Sequence, residues 1–353
     1  RVNRRMIIVF VMAGVLWGMG MAMGAPKRAR WTMIGILIGA VVLAQLVLPD
    51  GNPLREATGG DVRLWGLLLG FAAIGFGYRA LLRMVRKRAE KPVVAVPKVG
   101  FSDTELDRYA RHIMLREVGG QGQKALSNAK VLVVGAGGLG SPALQYLAAA
   151  GVGTIGVIDD DVVDNANLQR QIIHTDARIG DPKVQSAADA MIAQNPFVTV
   201  RPYKRHLTAQ DAAGIIGDYD LVLDGTDNFE ARYLVNATCA ALGKPLIAAA
   251  LTQWEGQISL YDPASDAPCF ACIFPDAPDP ALVPSCAEAG VIGPLPGVVG
   301  SMMALEAVKE ITGAGESLRG RLMIYDALYS QVRVVKAKRR PDCAVCGCAK
   351  VSI

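Results

Sequence analysis

The sequence predicts an α/β domain, a doubly wound and mostly parallel sheet, preceded by an apolar N-terminal region. Three observations carry this. Short apolar stretches alternate with helical ones from about residue 130 to 250. A glycine-rich turn, Gly135-Ala136-Gly137-Gly138-Leu139-Gly140, follows the first apolar stretch and opens a helix. The apolar excess is concentrated before residue 90, although mean hydropathy over the whole chain is +0.30.

The first region holds three uncharged or nearly uncharged runs, 6–24, 31–48 and 64–82. Each approaches the ~20 residues a helix needs to cross a bilayer. The first also has the basic start and apolar core of a signal peptide. The two further runs favour three membrane helices, with Pro49-Asp50-Gly51-Asn52-Pro53 as a turn. Basic residues set the orientation. Lys27, Arg28 and Arg30 lie in the first loop, and Arg83, Arg86, Lys87, Arg88 and Lys91 follow the third run. Both groups then face the cytoplasm, with the remainder of the chain. Arg1, Arg4 and Arg5 would lie outside, against that rule.

Residues 91–100 read as a linker, and residues 101–353 as the second domain. Ser102 with Glu105 predicts a capping box at a helix start. Strands are expected at 130–134, 154–158, 198–202, 221–223 and 246–249, with helices at 142–150, 182–193 and 232–242. Strands alternating with helices imply a parallel sheet covered on both faces. A net charge of +5, from 37 basic and 32 acidic residues, is too mild over this length to argue for nucleic acid.

The glycine turn lets backbone N–H groups approach a phosphate at a helix N-terminus. Gly135, Gly137, Gly138 and Gly140 are its candidate binding positions. Asp159-Asp160-Asp161 stands at the end of the next strand, where Asp159 or Asp161 could accept hydrogen bonds from a ribose. That suits a dinucleotide and ATP equally, and a solvated acidic turn is the plain alternative for Asp160. Asn167, Arg170 and Gln171, followed by Lys183, separate the two ligands. Two cations and two amides suit a triphosphate, with the arginine fork bridging its oxygens. A basic helix face is the plain alternative. Asp224-Gly225-Thr226-Asp227-Asn228 ends another strand, where a carboxylate could hold Mg²⁺ or simply cap a helix.

Seven cysteines are present, none before Cys239. Cys269 and Cys272, with Cys343 and Cys346, form two C-x-x-C pairs that suit a structural Zn²⁺ stapling the C-terminal part onto the domain. That reading implies a reducing compartment. Cys286 belongs to neither pair and is either an acyl-accepting nucleophile or an inert buried thiol. Cys239 falls in an apolar helix and reads as core, Cys348 as spare. His112, His174 and His206 read as structural or surface residues.

Together and in this order, over about residues 101–347, these motifs resemble the E1-like adenylyltransferases, most closely their molybdopterin-synthase branch. Arg108-Tyr109-Ala110-Arg111-His112-Ile113 and Glu288-Ala289-Gly290-Val291 add to the likeness. The resemblance implies ATP near Gly138 with its ribose on Asp159. Asn167, Arg170, Gln171 and Lys183 would hold the triphosphate and Asp227 the Mg²⁺. It implies a homodimer in which Arg111 reaches the partner's site, and a ubiquitin-like sulfur-carrier substrate ending in Gly-Gly. That carrier's carboxylate would be adenylated for sulfur transfer, and the sulfur would come from a separate donor. The thiamine sulfur carrier and a tRNA-modifying member of the superfamily are the rivals within the class. A non-catalytic membrane-anchored nucleotide-binding module and an NAD-dependent oxidoreductase are the rivals outside it. The resemblance leaves residues before about 101 without a counterpart. The expectation is a multi-pass protein of the inner (cytoplasmic) membrane with its catalytic domain in the cytoplasm.

Overall fold

The computed structural model of the chain describes residues 6–59, 62–89, 100–277 and 289–347. It divides into two units, 1–98 and 99–353. Nearly all of the expected linker, 91–100, lies outside the described residues.

The first unit is helical, with α1 (Met6–Ala22), α2 (Lys27–Val47), α3 (Pro53–Ala57) and α4 (Val62–Ala89). Its small core is Val9, Val41 and Trp65. The predicted turn after α2 is tied down by polar groups. Buried Gln45 donates from Nε2 to Arg55 O (2.8 Å) and Thr58 Oγ1 (2.7 Å). Arg55 donates to Leu48 O and pairs with Asp50, and Trp65 Nε1 donates to Thr58 O. Three spans were expected. Among the described residues one helix, Ala29–Val47, is long and apolar enough to cross a membrane. Among the described residues the first run makes a shorter apolar helix, Ile8–Ala22, and Gly24, Ala25 and Pro26 follow its end. The third run lies within α4, several of whose side chains fall outside the described residues.

The second unit opens with α5 (Asp103–Ile113), whose capping box pairs Ser102 and Glu105 as expected. After α6 (Gly119–Asn128) come β1 (Lys130–Val134), α7 (Gly140–Ala150), β2 (Thr154–Ile158), α8 (Lys183–Gln194) and β3 (Thr199–Tyr203). Then follow α9 (Ala212–Gly217), β4 (Leu221–Asp224), α10 (Phe229–Leu242), β5 (Leu246–Leu251), β6 (Glu255–Tyr261) and α11 (Phe270–Ile273). The long helix α12 (Pro294–Thr312) precedes β7 (Arg321–Asp326) and β8 (Gln331–Lys336).

One sheet runs β3-β2-β1-β4-β5-β6-β7-β8. The first five strands pair in parallel, and β5 to β8 pair antiparallel. Strand β1 is buried on both faces, which explains its unbroken apolar sequence. Pro202 sits in β3, an edge strand where its missing N–H is tolerated. The chain leaves β1 toward β2 and β3, then returns to β4 on the other side of β1. The carboxyl ends of β1 and β4 therefore flank a switch point, where open α/β sheets bind ligands. Helix α12 packs on α7, β5 and β6 and brings its N-terminal turn to that edge.

Asn195 joins three helices. Fully buried, it donates from Nδ2 to Tyr109 OH (2.8 Å) on α5 and to Ala148 O (2.7 Å) on α7, just beyond the end of α8. Asn195→Ala strands both acceptors and is expected to cost about 1–3 kcal/mol of unfolding free energy. A denaturant midpoint unchanged from wild type would refute this.

Candidate functional site

The turn after β1 is built backbone against backbone. Gly135 adopts φ +95°, a region closed to most side chains, and donates to Ile158 O on β2 (2.9 Å). A Cβ at Gly135 would stand 3.0 Å from Gly225 O, in the turn after β4, and one at Gly140 would stand 1.9 Å from Gly135 O. Gly225 N in turn donates to Val134 O (2.9 Å).

The Ala136 peptide is clamped from both sides. Its N–H donates to Asp159 Oδ2 (2.8 Å), and Asp159 Oδ1 accepts from Asp161 N (2.9 Å). Each oxygen keeps a lone pair for a further donor. Ala136 O lies 3.0 Å from His174 Nε2, and His174 Nδ1 lies 2.9 Å from Ser186 Oγ. A carbonyl can only accept, so Nε2 carries the proton and Nδ1 accepts from the serine. Burial holds the imidazole below its usual pKa of 6.5, and Lys183 adds to that. The Ala136 carbonyl and Asp159 act the other way without prevailing. Burial raises the Asp159 carboxyl, against Lys183 and two backbone donors.

The predicted cations lie close by. Lys183, buried at the start of α8, pairs through Nζ with exposed Asp161 (2.8 Å). Arg170 donates from Nη2 to Asn167 Oδ1 (2.8 Å), and its Cγ is 3.7 Å from where a Cβ on Gly138 would stand. Gln171 Nε2 is 3.8 Å from the same point on Gly137, and its buried Oε1 has no hydrogen-bond partner among the described residues. The glycine turn, Asp159, Asp161, Asn167, Arg170, Gln171 and Lys183 thus form one constellation. A cavity of about 940 Å³ adjoins Arg170, with Tyr146, Val298, Met302 and Leu305 among its apolar lining.

The turn after β4 is held from within the predicted stretch by Asp224 and from outside it by Arg232, which the sequence did not mark. Asp224, fully buried, accepts at Oδ1 from Thr226 N (2.9 Å) and Thr226 Oγ1 (2.6 Å). Arg232 on α10 donates to Thr226 O (2.8 Å) and to Ala249 O on β5 (2.7 Å). The signal for Arg232 is a lone cation in an otherwise apolar stretch of helix, which spacing alone does not interpret. Asn228 caps α10 through Ala231 N, the plain reading, and leaves Asp227 exposed. Arg111 is exposed in the last turn of α5, and no hydrogen bond or ion pair among the described residues ties it to the site. Cys286 and Cys348 lie outside the described residues.

The two cysteine pairs meet. Sγ separations are 3.8 Å for Cys269–Cys272, 3.6 Å for Cys269–Cys343 and 3.4 Å for Cys272–Cys346. Four thiolates about 2.3 Å from one tetrahedral ion would stand about 3.8 Å apart, so the set fits a single metal. Burial pushes the Cys269 thiol up. Burial acts on Cys343 too, but the N–H groups of Cys346 and Val345 outweigh it and bring that thiol to about 7. Cys239 is buried apart from these in the sheet core, as expected.

The depressed His174 pKa has a sign that can be checked. Below pH 6.5 the unfolded chain takes up a proton that the folded chain refuses, so stability falls as pH drops from 6.5 toward the folded pKa. The His174→Asn variant is expected to lose that part of the slope in urea unfolding at pH 5 to 8. Parallel wild-type and variant curves would refute this.

The ThiF family profile matches residues 109–345. The chain is 49% identical over 251 residues to the sulfur carrier protein adenylyltransferase of Thermus thermophilus, covering 70% of this chain and 93% of that protein. It is 48% identical over 244 residues to the SAMP-activating enzyme E1 of Haloferax volcanii, covering 69% and 90%. It is also 48% identical over 256 residues to the probable adenylyltransferase/sulfurtransferase MoeZ of Mycobacterium tuberculosis, covering 71% and 65%. Among solved structures, E. coli MccB with ATP matches with a TM-score of 0.60 at 23% identity, covering 68% and 74%, a likeness of fold. The E1-like resemblance read from the motifs is borne out, and the chain belongs to the ThiF family.

Proposed function

We propose that the chain adenylates the C-terminal glycine carboxylate of a ubiquitin-like sulfur-carrier protein, with the small subunit of molybdopterin synthase as first candidate. One observation carries this. The glycine turn, the Asn167–Gln171 stretch, Lys183 and the Asp227 turn converge at the carboxyl end of the parallel strands. They do so in a chain nearly half identical to sulfur-carrier adenylyltransferases.

In this reading ATP lies along the glycine turn with its ribose on Asp159. Asn167, Arg170, Gln171 and Lys183 take the triphosphate. Lys183 exchanges its partner Asp161 for a phosphate oxygen, and the open Gln171 Oε1 turns to a donor of the nucleotide. Asp227 would hold Mg²⁺ through its carboxylate, the hard oxygen that ion prefers. The ion would supply neutralisation of the phosphate charge. A carboxylate oxygen of the carrier attacks the α-phosphorus, the bond to the bridging oxygen breaks, and pyrophosphate leaves. The acyl-adenylate left behind is open to sulfur from a separate donor. The chain's contribution is positioning and preorganised charge.

We assign the apolar groove beside Arg170 to a second copy of the chain, with exposed Tyr146 and Leu305 at the contact and Arg111 reaching across. Zn²⁺ is the ion for the four cysteines, and the apolar N-terminal region that includes Ala29–Val47 holds the chain at a membrane with the adenylating domain in the cytoplasm.

ATP–pyrophosphate exchange by the purified chain is expected to require a carrier ending in Gly-Gly. It should fall at least about 10²-fold in Arg170→Ala and Asp227→Ala. Exchange that ignores the carrier, or survives both changes, would refute the assignment. The chain should also carry about one zinc. Cys269→Ser should lose the metal and lower the melting temperature, and a metal-free chain of unchanged stability would refute the staple.

A further inference from the structure

Thr226 is held at each of its polar groups. Its N–H and its hydroxyl both donate to Asp224 Oδ1, and its carbonyl accepts from Arg232 Nη2. The next residue is Asp227, exposed, and Asn228 after it caps α10. The stretch 224–228 is therefore fixed on both sides of Asp227 while Asp227 itself is left open.

Arg232 gathers these restraints. Its side chain is 8% exposed and lies 3.4 Å, through Nε, from the Asp224 carboxylate oxygen that makes no hydrogen bond among the described residues. Its Nη2 spans two carbonyls, Thr226 O on the turn and Ala249 O on β5. Its Cζ lies 5.6 Å from the centre of the Phe270 ring, and Phe270 stands between Cys269 and Cys272 in sequence. Phe270 N in turn donates to Asn236 Oδ1, one turn further along α10. A lysine at 232 would keep the charge but has no planar fork to serve three partners in fixed directions.

We infer that Arg232, acting with Asp224, is a positioning residue that sets where the Asp227 carboxylate stands and so how the site takes a magnesium nucleotide. This rests on the adenylation reading above. Arg232 touches no substrate; it works through Thr226. The contact with Phe270 extends the frame to the cysteine cluster, so that cluster braces the same turn.

The test compares ATP binding by the full chain with and without Mg²⁺, by calorimetry, in wild type, Asp227→Asn, Arg232→Lys and the double variant. Wild type is expected to bind ATP more tightly with Mg²⁺, and Arg232→Lys to lose at least tenfold of that tightening while binding metal-free ATP as before. In the Asp227→Asn background the Arg232→Lys change should have no further effect, because the arginine acts through that carboxylate. Thr226→Val keeps the shape, removes one bond to Asp224 and should shift the response in the same direction, which keeps the test open if Arg232→Lys folds poorly. A wild-type chain that ignores Mg²⁺ would overturn the adenylation reading and this inference with it. A wild type that responds through Asp227, beside Arg232→Lys and Thr226→Val chains that respond equally, would overturn the inference alone. A purely structural role would lower the melting temperature and leave the Mg²⁺ response intact.

Discussion

Two turns at the ends of neighbouring parallel strands touch through their backbones, and the site depends on that contact. Gly135 and Gly225 lean on each other where the chain changes direction across the sheet, and Gly140 lets the helix begin directly above. Parallel strands about 4.8 Å apart leave no room for side chains between such turns. What remains is a ledge of peptide groups at a helix N-terminus, a surface that accepts phosphate. The opening of α12 packs its Pro296 beside Gly138 and closes one side of the ledge.

Around that ledge the charged residues divide by burial. Asp224 and Arg232 are buried, His174 is buried and neutral, and Asp159 is half-buried. Their hydrogen bonds go largely to backbone atoms. Asp227 and Arg111 are exposed and are fixed by no bond of that kind among the described residues. A buried charge persists only when its partners are in place, so the inner group acts as frame and the outer group stays available to ligands. Lys183 stands between them, buried along its stem while its partner Asp161 reaches solvent.

The parallel half of the sheet was legible because its inner strands are mostly apolar and are separated by helices, and the glycine turn marked its carboxyl end. The antiparallel half was not. Strand β8 is exposed along its whole length, so burial imposes no apolar run on it, and the run 322–325 in partly buried β7 is too short to tell a strand from a helix by pattern. Within the site, residues whose type announces their chemistry could be read directly, as with Arg170, Lys183 and the C-x-x-C pairs. His174 and Arg232 could not. Each takes its role from a carbonyl brought near by folding: Ala136 lies 38 positions from His174, and Ala249 lies 17 from Arg232. The apolar runs near the N-terminus were plain as composition, and the first helix stops just before Gly24-Ala25-Pro26, as local Gly-Pro geometry requires.

The cysteine cluster joins positions 74 apart, Cys269 to Cys343 and Cys272 to Cys346. In a disordered chain, closing a loop of that length costs about 4–5 kcal/mol of chain entropy. An ion meeting the unfolded chain would find one pair at a time and bind it weakly. Once α12, β7 and β8 have returned the chain to α11, the loop is already closed and all four sulfurs stand together. The cluster is thus complete only in the folded domain, and any metal it takes would be held more tightly the further the sheet has assembled.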